Sequence, residues 1–335
     1  MSNNRTTDNK LTTNLMNSTR ISTLSRLFAL RELAIILVII VVSLFLVFTA
    51  PSFLNTSNLS AVAIGLVTDG VIAIGMTMVL ITGGFDLSVG SSLALGGMVM
   101  ANLLHSGIAL VPAILITLLV SAVIGLINGL IISKLGINPL ITTLGMMGIT
   151  SGVTLVISGG YPLSNFPENF LFIGQGYFGI VPVSVLLMLI LVLIADILLR
   201  RAQWLRLLYY IGGNERAALL SGIRVDRIRI MVYVFCAALA GFAGIIATSR
   251  LGSAFPLAGK GAELRVISAC VIGGCSLKGG EGTIMGALLG VLLMAIINDG
   301  LVLLNVSIYW QSIISGVILI GAVTFDMLNQ KRSQA

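Results

Sequence analysis

An all-α, polytopic membrane protein with about ten transmembrane helices, several short or broken, follows from this chain's composition and patterning. The 335 residues are 57% hydrophobic and only 9% charged. A soluble globular chain carries about 25% charged residues, so this one lacks the polar shell that water requires. A membrane helix needs about 20 apolar residues, and the windows 33–50, 181–199 and 284–304 qualify outright. The basic residues also collect in a few segments between apolar runs, which suits orientation in a bilayer better than nucleic-acid binding at a net charge of +7.

Ten apolar segments are read in order: 33–50, 60–82, 87–104, 109–133, 139–157, 180–199, 230–249, 264–276, 284–304 and 309–328. Segments 87–104, 139–157 and 264–276 are short or interrupted by glycine. They are expected to be half-spans, tilted helices or re-entrant pieces. Residues 1–32 are polar, rich in Ser, Thr and Asn, and carry Arg5, Lys10, Arg20, Arg26 and Arg31. They read as a flexible cytosolic tail. The apolar run behind them lacks a small-x-small cleavage site, so a signal anchor is expected rather than a cleaved signal. One membrane domain covers 33–328, with a cytosolic loop at 200–229, and 329–335 is a short cytosolic C-terminal tail.

Charge tests this order. With both termini in the cytoplasm, all 19 Lys and Arg residues fall inside except Arg250, Lys260 and Arg265, as the positive-inside rule requires. Those three lie in or beside one external loop, which is therefore either special or misplaced. The 200–229 loop holds seven arginines and divides the chain into halves. A faint internal echo accompanies this division: Gly83, Gly84, Leu87, Gly90 and Gly96 recur as Gly273, Gly274, Leu277, Gly280 and Gly286 at one constant offset. Transporters often contain such repeats, with broken segments near the pathway.

Within 82–92 the sequence reads TGGFDLSVGSS. Glycine permits a tight turn, and a carboxylate at bilayer depth needs a partner or a wet cavity. Two readings of Asp86 stand together: it lies beside the transport path, or it caps the next helix. Residues 214–222 read NERAALLSG. Asn214 suits an N-cap, Glu215 complements the helix dipole, and Gly222 stops the turn. Ala217 and Ala218 leave room for a partner, so a short docking helix and an ordinary surface helix both fit. The run 264–286 is punctuated by Gly273, Gly274, Gly279, Gly280 and Gly282, more than an isolated span needs. The pairs Gly125/Gly129, Gly148/Gly152 and Gly286/Gly290 permit close helix packing. Asp69, Asn128, Thr142, Thr143, Asp196, Asn298 and Asp299 are polar residues inside spans. They could line a path for a polyol or bond helix to helix.

Catalytic patterns are absent. One histidine, His105, excludes HExxH and most His-based chemistry, and no GxxxxGK[ST] phosphate loop occurs. The formal GxGxxG at 174–179 follows no strand pattern. Cys236, Cys270 and Cys275 lie in apolar runs with no metal or disulfide spacing. No enzyme activity, cofactor or metal site is expected.

Four segments carry a resemblance: AIGMTMVLITGGFDLSVGS at 73–91, NPLITTLGMMGITSG at 138–152, GGNERAALLSGI at 212–223 and VIGGCSLKGGEGTIMGALLG at 271–290. In this order the chain resembles the permease subunits of ribose-type ABC sugar importers, over nearly everything after the tail. The resemblance implies a multi-pass protein of the bacterial inner membrane that forms the path for a sugar or sugar-like solute. It implies a second permease copy or close paralogue, an ABC ATPase on the cytosolic side and an extracytoplasmic sugar-binding protein. Residues 212–223 would couple to the ATPase through Gly213, Asn214, Glu215, Ala217, Ala218 and Gly222, with Arg216 interrupting the family's pattern. Related permeases often carry arginine where this chain has Ser151. Path candidates are Asp86, Asn128, Thr142, Thr143, Asn298 and Asp299. The competing reading is an ion-coupled secondary transporter using Asp69, Asp86 and Asp299.

Overall fold

The computed structural model describes residues 32–334, with some side chains beyond 307 left out; the N-terminal segment 1–31 lies outside the described residues. Fourteen helices follow one another, with four two-residue strands between them. They are α1 Glu32–Thr49, α2 Thr56–Gly65, α3 Val67–Ile81, α4 Val89–His105, α5 Leu110–Lys134, α6 Pro139–Ser158, β1 Leu163–Ser164, α7 Glu168–Gln175, β2 Tyr177–Phe178, β3 Val181–Pro182, α8 Val183–Arg201, α9 Gln203–Gly213, α10 Glu215–Leu220, α11 Val225–Leu251, β4 Ser253–Ala254, α12 Ala262–Ile272, α13 Ile284–Leu303 and α14 Ile308–Gln334.

Among the described residues, seven helices are long and apolar enough to cross a bilayer: α1, α2 with α3 as one 26-residue unit, α5, α6, α8, α11 and α13. All ten apolar segments fall on helices, but they are not ten equal spans. At 1.5 Å per residue, the 11 residues of α12 cover about half of a hydrocarbon core. The expectation for 139–157 needs correction. Its glycines do not interrupt it: α6 runs unbroken for 20 residues, started by Pro139 at its first position and by Asn138 Oδ1 accepting from the Leu140 N–H at 2.8 Å. At the other end, α14 stays helical to Gln334, through residues read as a tail.

Helix α11 is the post around which the bundle is built. Its buried face includes Tyr233, Cys236, Ala240, Gly244 and Thr248, packed against α3, α4 and α5. Small residues set these distances. A Cβ on Gly75 would lie 2.6 Å from Cys236 Cα, and one on Gly129 would lie 2.7 Å from Ile230 Cα. The main core joins Val71, Ile72, Met76 and Leu80 of α3 to Val266 and Cys270 of α12 and Ile284 and Val291 of α13.

One end of the bundle gathers α9, α10 and the turns at 82–88 and 273–283, with Lys134 Nζ reaching Asp226 at 2.6 Å. The opposite end holds 106–109, 159–182 and 252–261. There His105 Nε2 donates to the Ser164 carbonyl at 2.8 Å, β1 pairs antiparallel with β4, and the Gly174 N–H donates to Ser249 Oγ at 2.7 Å.

The glycine pairs behave differently. Gly125 and Gly129 seat α5 on α11, and Gly286 and Gly290 seat α13 on α12, whereas Gly148 and Gly152 have nothing within 4 Å. Replacing Gly125 with Val should therefore destabilise the detergent-solubilised chain by about 1–3 kcal/mol, as overpacking does. Gly148→Val should stay within about 0.5 kcal/mol. Thermal unfolding followed by circular dichroism separates the two.

Candidate functional site

The first cluster is the surface built by α9 and α10. Asn214 turns the chain between them in an extended conformation, and its Oδ1 accepts from the Ala217 N–H at 3.0 Å. Gly222, at φ +80°, closes α10: its N–H donates to the Leu219 carbonyl at 3.0 Å, and the Ile223 N–H donates to the Ala218 carbonyl at 3.1 Å. Ala218 is buried against Ile211 and Val225, while Leu220 is 91% exposed. Arg229 of α11 holds Glu215 through two bonds, Nη2 to Oε2 at 2.8 Å and Nη1 to Oε1 at 3.3 Å. This paired geometry fixes direction as well as distance. A groove of ≈ 530 Å³ runs between α9 and α10, past Tyr210, Gly213, Asn214, Ala217 and Ser221. The six coupling candidates thus form one continuous feature. The short helix is legible in the sequence, whereas α9 is not singled out there.

Beneath this surface, three backbone segments touch. The Gly280 N–H donates to the Ile81 carbonyl at 2.8 Å. A Cβ on Gly212 would run into that same carbonyl oxygen and into the Gly280 N–H. Tyr209 OH donates to the Gly282 carbonyl at 2.8 Å. The turns of the two echoed segments, 82–88 and 273–283, therefore pack on each other and on the C-terminal end of α9.

The second cluster is closed to solvent. Asp86 Oδ1 accepts from the Ser88 N–H at 2.9 Å and from Ser88 Oγ at 2.6 Å, and Asn128 Nδ2 donates to Ser88 Oγ at 3.0 Å. Tyr233 OH donates to the Phe85 carbonyl at 2.9 Å. Asp86 Oδ2 and Asn128 Oδ1 are buried without a protein partner. Asp86 thus shapes the turn ahead of α4 and joins it to α5. Burial pushes its carboxyl up to about 6, against the lowering effect of the Ser88 bonds. Thr142 and Thr143 stand apart, on the buried stripe of α6 that also holds Thr150 and Thr154. Thr143 Oγ1 donates to the Pro139 carbonyl at 2.8 Å.

The third cluster contains Asn298 and Asp299, near the C-terminal end of α13. They face a cavity with Asp69, Arg250 and Arg265. Arg265 binds Asp69 twice, Nε to Oδ2 at 3.1 Å and Nη2 to Oδ1 at 3.2 Å. Asn58 Nδ2 donates to Asp299 Oδ2 at 2.9 Å. The six path candidates therefore fall in three places: Asp86 with Asn128, Thr142 with Thr143, and Asn298 with Asp299. The sequence reading did not join Asp69, Arg250 and Arg265. Its signal was present: Arg250 and Arg265 are two of the three basic residues on the wrong side of the charge distribution.

The sequence profile described as "Branched-chain amino acid transport system / permease component" matches residues 58–323. This chain belongs to that permease family. Within it the permease falls in the ribose-type ABC group. The ribose import permease of Bacillus subtilis is 42% identical over 296 residues, covering 88% of this chain and 91% of that protein. The ribose import permease of Escherichia coli K12 is 40% identical over 327 residues, covering 96% and 100%. The galactose/methyl galactoside import permease of the same strain is 36% identical over 324 residues. No solved structure matches the permease.

The raised Asp86 carboxyl gives a signed expectation. An acid whose folded pKa lies above its ordinary value of 3.8 holds its proton more tightly in the folded state. Its contribution to stability is complete below 3.8 and is lost as pH rises through about 6, on the order of 3 kcal/mol in all. The thermal midpoint of the full chain in detergent should fall across that window. Asp86→Asn, which keeps an acceptor for Ser88, should flatten this part of the profile.

Proposed function

We propose that this chain is the membrane-spanning subunit of an ATP-driven importer for a sugar or sugar-like solute, delivered by an extracytoplasmic binding protein. The observation that carries the reading is the surface of α9 and α10. A short capped helix stands outside the spans, exposes Leu219 and Leu220, and is anchored to the central post by the Glu215–Arg229 pair. Exposed leucines beside a groove suit docking to another protein. The anchor carries displacement of that helix directly into α11.

The basic end of the bundle faces the cytoplasm in this reading. Arg200, Arg201, Arg206, Arg224 and Arg227 flank the docking helix in sequence and Arg216 lies on it, as the positive-inside rule favours. Both termini are cytoplasmic, the ten apolar segments sit in the bacterial inner membrane, and the partner on this face is an ABC ATPase. Hydrolysis occurs on that partner. A second permease copy or close paralogue completes the path. The related permeases named for ribose, L-arabinose, D-allose and galactose support a monosaccharide as cargo. Asp86 with Asn128, Thr142 with Thr143, and Asn298 with Asp299 are proposed to serve the path at different depths.

Glu215→Arg places a second cation against Arg229. It should reduce ATP-driven uptake of radiolabelled ribose and galactose by about tenfold or more, the equivalent of about 1.4 kcal/mol of lost coupling. The amount of chain in the membrane should not change. Full uptake by this variant would refute the coupling assignment.

A further inference from the structure

A cavity of ≈ 390 Å³ lies between α2, α3, α11, α12 and α13, with charged and polar groups on its wall. Its wall holds two guanidinium groups, Arg250 and Arg265, and two carboxylates, Asp69 and Asp299. Thr68 and Asn298 add a hydroxyl and an amide, and Leu66, Val291 and Met294 supply apolar patches. Charged groups among membrane helices are expensive and mark pathways or bound solutes.

Internal bonds use only part of this polar capacity. Arg265 and Asp69 satisfy each other in a two-bond pair. Arg250 Nη1 donates at 3.1 Å to the Ile64 carbonyl, at the joint between α2 and α3, yet its Nε is buried with no protein partner. Asp299 has one oxygen bound by Asn58. The wall therefore offers donors and acceptors together, at equal positive and negative charge. A balanced wall has no net attraction for an anion or a cation. A solute with many hydroxyls can accept from Arg250, donate to Asp299 and lay a C–H face on Met294, the usual construction of a small-molecule pocket.

We infer that this cavity, inside a single permease chain, is a waypoint for an uncharged monosaccharide, and that its balanced charge excludes phosphorylated sugars. The inference rests on the importer reading and adds a location and a selectivity to it. The cavity is also connected to the docking surface. Helices α3, α12 and α13 form its wall and run to the turns at 82–88 and 273–283, which meet Gly212. The Asp69–Arg265 pair bridges α3 and α12 across this wall, so relative movement of those helices must open or close it.

Ala295→Cys, on the cavity wall about one turn before Asn298, tests the site in the full chain. All three native cysteines are buried, so a membrane-impermeant sulfonatoethyl thiosulfonate should label the new thiol selectively. In lipid nanodiscs, D-ribose and D-galactose at ten times their dissociation constants should slow labelling about tenfold, whereas D-ribose 5-phosphate should not. No protection by either sugar overturns the site, and equal protection by the phosphate ester overturns the charge selection. In cells lacking the gene, the Ala295→Cys chain should restore uptake of neutral sugars, and labelling should then abolish it. Uptake that depends on the chain yet survives complete labelling refutes the waypoint alone. Uptake of neutral pentoses and hexoses that is unchanged by deleting the gene refutes the importer reading instead, whatever the nanodisc result.

Discussion

The hydrogen bond from the Gly280 N–H to the Ile81 carbonyl spans 2.8 Å, and three distant parts of the chain meet around it. It lies where two helix–turn–helix units touch and where Gly212 brings α9 against both. Backbone that leaves the helical path near a bilayer must find partners inside the protein. Here the irregular turns find them in one another. That mutual satisfaction permits α12 to end after half a span and α13 to begin anew. It also seats α9, which leads into α10, on the joint.

Around this joint, polarity is distributed by depth. Toward the basic end, Asp86, Ser88 and Asn128 form a closed relay that ties the turn before α4 to α5. Toward the opposite end, Asp69, Arg265, Arg250 and Asp299 surround open space. An apolar core of α3, α12 and α13 side chains separates the two. The contrast is physical: a buried carboxyl without a cation stays compact by accepting bonds from its neighbours, whereas opposed charges tolerate a wet cavity. Helix α11 touches both regions, through Tyr233 at one and Arg250 at the other.

The sequence was most legible where the signal is local. Apolar runs about as long as the membrane is thick located every helix that carries a span, and Asn214 with Gly222 bounded α10 to within a residue. The 273–283 glycines correctly marked broken backbone. Other features depend on partners far away in sequence. Arg265 and Asp69 are 196 positions apart, and nothing near either residue names the other. The same limit explains the glycine pairs: Gly125/Gly129 and Gly148/Gly152 share one spacing, yet only the first faces a helix of this chain. Helices α7 and α9 are short and lack a span's hydropathy. α9 is recognisable instead by burying Leu205, Leu208 and Ile211 at helical spacing.

The non-helical stretch 252–261 descends into the bundle until Gly259 meets Gly90 of α4, backbone against backbone. In genetic terms this contact has no second-site suppressor of the usual kind. When two side chains collide, a mutation in one is rescued by trimming the other. Here the colliding atom would be a carbonyl oxygen, which no codon change can shorten. Selection for revertants of a Gly259→Ala chain should therefore return glycine at 259 itself, and the pair should drift far less than the exposed residues nearby.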